Sequence, residues 1–180
     1  MLRVSALQNV AIQGRFGADK GAPGVSLSVV HPLSIAMVIA RKGKSKAVKE
    51  ALASFKSVNV LWAGPDQYFV QSSKTETSLL TELQKKLQGL ASITDQSHGR
   101  VVLRISGPKT RAVLAKGTPV DLYTDEFPIG KSALTQMSHV SVHLTRTGND
   151  EFTLSVFRGF SESFWEWLTS QSAEFGYQVS

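Results

Sequence analysis

Histidines and carboxylates are the residues here whose types could carry chemistry, and their spacing argues against it. His139 and His143 stand four apart in a segment that reads as a strand, so both point to one face with Ser141 between them. An ideal strand separates them by about 13 Å, too far to share one metal ion. With no cysteine and no dense Asp/Glu/His cluster, no metal site is expected. Asp95 precedes His98 by three in Thr94-Asp95-Gln96-Ser97-His98. The acid reads as the cap of a turn and His98 as its exit, since no motif places a nucleophile. Gly14-Arg15-Phe16-Gly17 and Thr147-Gly148 match neither the dinucleotide nor the Walker pattern, so they are not phosphate loops. No catalytic, cofactor-binding or metal-ligating residue is assigned.

Two surfaces are candidates for binding a partner. Arg41, Lys42, Lys44, Lys46 and Lys49 form the densest basic cluster. RNA readers add stacking aromatics to such a cluster, and the one nearby, Phe55, has core spacing. A solvated helix face with Arg41 and Lys42 at its entry is the expectation, and no nucleic-acid partner is assigned. The second surface is the C-terminal helix. Phe164, Leu168 and Phe175 share one azimuth, while Trp165 and Trp167 fall on opposite shoulders, each about 80° away. One fold does not easily bury both shoulders, and Trp is a favoured interface anchor. For Trp167, core packing and partner contact both stay open.

The elements that position these residues alternate between helix and strand. Ile35–Ala40 is apolar on both faces, as in a central strand. Ser45 is the expected cap of a helix with Val48, Ala51, Leu52 and Phe55 on one face. Val58–Trp62 and Tyr68–Val70 read as a hairpin across Gly64-Pro65-Asp66. Leu79, Leu80, Leu83, Leu87 and Leu90 stripe a helix from about Thr77 to Leu90. Val101, Leu103 and Ile105 alternate with Arg100, Arg104 and Ser106 in a half-buried strand. It runs into a helix capped by Ser106 or Gly107, with Pro108 in its first turn and a stop at Lys116-Gly117. Ala133–Leu144 and Glu151–Phe157 read as a hairpin across Thr147-Gly148-Asn149-Asp150. A last helix starts at Ser161 and ends near Phe175-Gly176. The fold class is α+β, with ferredoxin-like β-α-β units and antiparallel hairpins. Residues 1–33 show no strong periodicity and read as an extended arm that orders on a partner or on the domain body. Residues 34–122 read as a first α/β lobe and 123–180 as a second lobe of β-hairpin and helix, with packing as one domain the alternative.

At 180 residues the chain is long enough for one compact core or two small lobes. Absence of cysteine excludes disulfides, thiolate metal sites and a cysteine nucleophile. No apolar run approaches a membrane span and no signal peptide is evident, so a cytoplasmic protein without a membrane partner is expected. The net charge of +6 is uneven: +7 over residues 1–56, +3 over 57–149 and −4 over 150–180. A basic front and an acidic tail suit assembly with complementary partners.

Four blocks carry a family resemblance: Leu61-Trp62-Ala63-Gly64-Pro65-Asp66, Gly99–Leu114, Gly117-Thr118-Pro119-Val120-Asp121-Leu122 and Phe157–Leu168. In this order and spacing the chain resembles the gamma subunit of heterotetrameric sarcosine oxidase, from about Ile35 onward. That family is similar in fold to the folate-binding domain of the glycine-cleavage T-protein. The resemblance implies a complex that oxidatively demethylates sarcosine to glycine, releases hydrogen peroxide and passes the methyl carbon to tetrahydrofolate as methylene-tetrahydrofolate. It implies FAD, FMN and NAD in the alpha and beta subunits, zinc in the delta subunit, and no cofactor on this chain. The implied role is an accessory subunit contacting mainly alpha, with Trp165, Trp167, Arg41 and Lys42 as candidate partner-binding residues. Two alternatives are a stand-alone folate-binding protein and an RNA-binding module. The tRNA-modifying branch of the wider family carries a reactive cysteine, which this chain lacks.

Overall fold

The computed structural model describes residues 4–18 and 21–180; the parts of the expected arm at 1–3 and 19–20 lie outside the described residues. In chain order the elements are β1 (Gly14–Phe16), β2 (Val25–Val29), β3 (Ser34–Ala40), α1 (Ser45–Ala53), β4 (Asn59–Gly64), β5 (Gln67–Ser72), α2 (Glu76–Lys86), β6 (Ala91–Asp95), β7 (Arg100–Ser106), α3 (Thr110–Ala115), β8 (Ser132–Met137), β9 (Val140–Gly148), β10 (Glu151–Phe157), α4 (Ser161–Ser172) and β11 (Tyr177–Val179). The α+β class is as expected. The chain forms two compact units, one of residues 32–99 and one joining the N-terminal segment up to His31 to residues 100–180. These boundaries differ from the expected breaks after 33 and 122. The physical reason is strand pairing: β7 bonds to β2 on one side and β10 on the other, which draws residues 100–122 into the larger unit.

In the smaller unit β3, α1, β4, β5, α2 and β6 follow one another, and the sheet order is β4-β5-β3-β6 with every pair antiparallel. This is the split β-α-β arrangement of a ferredoxin-like unit. The doubly apolar β3 lies at its centre, as its composition requires. Val48 and Leu52 of α1, with Leu79 and Leu83 of α2, pack on Ala36, Val38 and Val70 of the sheet. Each such leucine removed from water contributes about 1.5–3 kcal/mol. The N-terminus of α2 is capped by the Thr75 hydroxyl, which accepts from the Ser78 amide. By contrast, Ser45 does not cap α1; it is the first helical residue, behind Lys44, and no side chain bonds to that end. Helix α2 stops at Lys86, short of the predicted Leu90, and Ala91–Asp95 forms β6. Leu87 and Leu90 continue the 3.6-residue stripe through a turn, which hides the boundary.

The larger unit repeats the plan. Elements β7, α3, β9, β10, α4 and β11 keep the same order, but β2 is inserted between β11 and β7, giving β1-β11-β2-β7-β10-β9-β8. Strand β2 runs parallel to β11 and antiparallel to β7. Leu27, Leu103, Ile105, Phe152, Leu154 and Val142 share one core with Val113 and Leu114 of α3 and with Phe164, Trp165 and Leu168 of α4. The expected arm thus supplies two strands, and the fully buried Leu7 enters the same core.

Two local expectations change. The strand predicted over 133–144 is two strands, β8 and β9, paired from Met137–Val140 outward. Ser138 and His139 form the turn between them with φ of 49° and 67°, the left-handed pair that a two-residue hairpin requires. Neither residue is glycine, so the turn is disguised in an alternating sequence. Gly107 is not a helix cap, since Lys109 holds that position at α3. Its φ is +121°, and a Cβ there would lie 2.7 Å from the Gly24 carbonyl oxygen. Only glycine lets the chain leave β7 so close to the segment leading into β2.

Candidate functional site

Helix α4 begins where the Ser161 hydroxyl donates to the Arg158 carbonyl at 2.8 Å. Glu162 lies in its first turn, where the helix dipole favours a carboxylate. Phe164, Trp165 and Leu168 turn into the core, leaving Glu162, Ser163 and Glu166 exposed. Of the five acids in residues 150–180, three are paired: Asp150 with Arg111, Glu151 with Arg104 and Glu174 with Lys116. Glu162 and Glu166 make no ion pair among the described residues. One helical turn apart, they present two negative charges on one face, Glu162 being helped by the helix dipole and Glu166 lying beyond the first turn.

Beside this face runs a groove of about 700 Å³ lined by Val10, Ile12, Phe16, Trp165, Tyr177 and the two glutamates, among others. Phe16 stacks on Tyr177 with ring centroids 5.3 Å apart, across the β1–β11 pair. Val10, Ile12 and Phe16 are all exposed, Ile12 by 66%. Their spacing of two and four residues is an apolar alternation within the expected arm. That signal is present in the sequence, diluted by the glycines around it.

The predicted partner residues fall in two places. Trp165 is only 5% exposed and belongs to the core, with its remaining edge on the groove. Trp167 is half-buried, stacked on Phe164 at 5.6 Å and seated over Gly117, where a Cβ would lie 2.4 Å from the indole. One Trp shoulder is therefore embedded, and the other packs on a glycine surface. Arg41 and Lys42 are exposed in the turn between β3 and α1 of the smaller unit, with Lys46 and Lys49 exposed beyond them. They form one exposed basic face. The two pairs belong to different units.

The histidines also separate. His139 occupies the β8–β9 turn and His143 is buried on β9, so they do not share a strand face as predicted. His98 lies 3.1 Å from Glu76 at the start of α2, while the Asp95 carboxylate accepts the Ser97 amide at 2.9 Å. That is the turn expected from the sequence. Among the described residues no group of three or more His, Cys, Asp or Glu is placed to hold a metal ion, and no helix is long and apolar enough to cross a membrane.

Sequence reasoning missed Arg146, which is 2% exposed. Its guanidinium donates to the carbonyls of Phe127 at 2.9 Å, Gly148 at 3.0 Å and Asn149 at 3.0 Å. Arg111 donates to the Asn149 carbonyl as well, and to the Asp150 carboxylate and the Leu122 carbonyl. Two arginines thus fasten the β9–β10 turn to the loop over 118–130. On the other face of β10, burial lowers the pKa of the Arg100 guanidinium, which sits 4.3 Å from the Phe157 ring centroid.

Two ferredoxin-like units in one chain, the larger opened to admit an N-terminal strand, define a fold of the glycine-cleavage T-protein kind. The structure matches the aminomethyltransferase T of the Bartonella henselae glycine cleavage system with a TM-score of 0.60 at 18% identity, over 84% of this chain and 49% of that one. It matches a chain of the heterotetrameric sarcosine oxidase from Corynebacterium sp. U-96, solved with pyrrole 2-carboxylate, with a TM-score of 0.83 at 28% identity, over 97% of both chains. Residues 28–174 match the model of the sarcosine oxidase, gamma subunit family. The chain belongs to that family. Over 134 residues it is 33% identical to the sarcosine oxidase subunit gamma of Corynebacterium sp. (strain U-96), covering 74% of this chain and 65% of the relative, and 31% identical to that of Arthrobacter sp., covering 66% of the relative.

Proposed function

We propose that this chain is an accessory, non-catalytic gamma subunit of a heterotetrameric sarcosine oxidase in the cytoplasm. The complex demethylates sarcosine oxidatively to glycine, releasing hydrogen peroxide and forming methylene-tetrahydrofolate. Its partners are alpha, the main contact, and beta and delta. FAD, FMN, NAD, zinc and tetrahydrofolate are assigned to those partner subunits. The observation that carries this reading is the likeness over 97% of both chains to a chain of a heterotetrameric sarcosine oxidase. It is supported by surfaces suited to assembly: the exposed Arg41 and Lys42 turn, and the groove edged by Trp165 beside the Trp167-bearing helix.

The test is to purify the tagged chain from its native cell and measure the masses of what comes with it. A yellow complex containing two flavin-bearing subunits and a small zinc-bearing one is expected, with sarcosine-dependent peroxide release. Deleting this chain should collapse the recovered complex and its turnover. A colourless monomer, or unchanged turnover after deletion, overturns the proposal. Tetrahydrofolate binding by the isolated chain would then identify the stand-alone folate reading, and salt-dependent RNA binding lost on replacing Lys42, Lys44 and Lys46 the RNA reading.

A further inference from the structure

We infer that the groove beside α4 is the seat of an extended segment from another subunit, with apolar side chains at alternate positions and at least one Lys or Arg. This inference rests on the proposed role in a multisubunit complex, and it assigns a surface to that role.

Three observations converge on this occupant. First, β1 is the edge strand of the seven-stranded sheet, only three residues long and exposed throughout. Its outer backbone groups have no strand partner in the sheet order, and an incoming extended chain satisfies such groups by adding a strand. Second, the side chains beside that edge are apolar and unburied. Phe16 of β1, with Val10 and Ile12 from the turn and loop before it, lines the groove as an exposed apolar row, and a strand laid alongside β1 presents every second side chain to that row. The half-buried Tyr177 contributes rigid aromatic surface that loses little rotamer freedom on contact, with the edge of the core residue Trp165 beneath it. Third, the polar wall is negative. Among the described residues Glu162 and Glu166 are the two acids of residues 150–180 that make no ion pair, although the whole chain carries +6. Two like charges one helical turn apart repel each other unless a cation lies between them. A Lys or Arg on the incoming segment supplies that cation, and its aliphatic stem covers the apolar row. A purely apolar occupant leaves the carboxylates partly desolvated and unmatched. An acidic occupant is repelled.

The test uses the chain co-expressed with its partner subunits. A photo-crosslinking amino acid at position 12 of the assembled complex should join to a partner peptide that contains Lys or Arg. In parallel, Ile12→Asp and the double change Glu162→Lys with Glu166→Lys should each lower recovery of the partner on the tagged chain by about tenfold or more, the charge reversal acting mainly by repulsion. Glu162→Gln with Glu166→Gln, the milder pair, should give a smaller loss and remove most of the salt dependence of recovery. All these side chains are exposed, so circular dichroism and the thermal midpoint of the variants should match the parent. Crosslinking to a second copy of this chain, or full recovery with both Ile12→Asp and the charge reversal, overturns the groove assignment while leaving the accessory role standing. Failure of the unmodified chain to bring down any partner overturns both.

Discussion

Residues 34–95 close a four-stranded sheet in which all the strands come from one continuous stretch of chain. The larger unit runs the same strand and helix order, yet its first and last strands, β7 and β11, are held apart by β2 from the other end of the sequence. The smaller core is supplied by helix stripes at i and i+4 and by a central apolar strand. The larger core also depends on devices that local pattern does not specify: Leu7 inserted from the N-terminal segment, Gly107 allowing a close backbone approach, and Arg146 fastening a loop from inside. A unit assembled from neighbours is stabilised by pattern. A unit assembled from distant pieces relies more on single residues, so single substitutions should separate the two.

The unit-specific readout is tryptophan fluorescence, because Trp62 lies in the smaller unit and Trp165 and Trp167 in the larger. In a Trp62→Phe background the signal reports the larger unit alone. The largest effect is expected for Arg146→Met, which takes their guanidinium donor from the Phe127 and Gly148 carbonyls and leaves Asn149 to Arg111 alone. It should destabilise the larger unit by about 3–5 kcal/mol in urea denaturation. Retention of the parental midpoint would show that the 118–130 loop holds without its arginine. Leu83→Ala should cost about 3 kcal/mol in the smaller unit, leaving the Trp165 and Trp167 transition unmoved if the units unfold separately. A parallel shift of both transitions would show that they unfold as one. Gly107→Ala should cost about 2 kcal/mol in the larger unit, from a backbone conformation that alanine resists and a contact that must give way. An unchanged midpoint would mean that β2 can move aside at no cost.

The smallest effect concerns pH. The Lys74 ammonium, 2.8 Å from Glu82, holds that carboxyl below the usual carboxylate range, chiefly through its hydrogen bond. A carboxylate with a depressed folded-state pKa adds stability above its unfolded pKa and loses it as the pH falls through the folded value. Glu82→Gln should therefore leave acid stability nearly unchanged and slightly lower stability near neutral pH, in the smaller unit only. The pair is exposed, so the change should be small. A variant losing stability equally at all pH values would assign Glu82 a packing role instead.

Much of this was legible in the residues. The apolar β3, the β4–β5 hairpin, the Val101-Leu103-Ile105 alternation and the start of α4 all follow from composition and spacing. What escaped had physical reasons. Val25-Ser26-Leu27-Ser28-Val29 alternates, but a short strand bordered by glycines and prolines reads as loop until its partners are known. The β8–β9 turn uses Ser138 and His139 where glycine or asparagine would have announced it. Arg146 looks like any polar strand residue, because its burial comes from a loop that sequence spacing cannot bring near. At the candidate site, the aromatic helix was visible and the groove was not, since its opposite wall is the N-terminal segment.

The insertion of β2 between β7 and β11 also sets a timetable. During synthesis the smaller unit has all its strands and helices once Gly99 has been added, and it can fold while the chain is still growing. The larger unit holds β2 early but cannot pair it on both sides until β11 exists, since Tyr177, which pairs with Val25, is made about 152 residues later, or about 8 to 30 s at ordinary elongation rates. Throughout that interval the side of Val25–Val29 that pairs with β11 lacks its partner. Newly made chain is then most open to wrong pairing, which makes early capture by a chaperone or by a waiting subunit a matter of kinetics rather than of final stability.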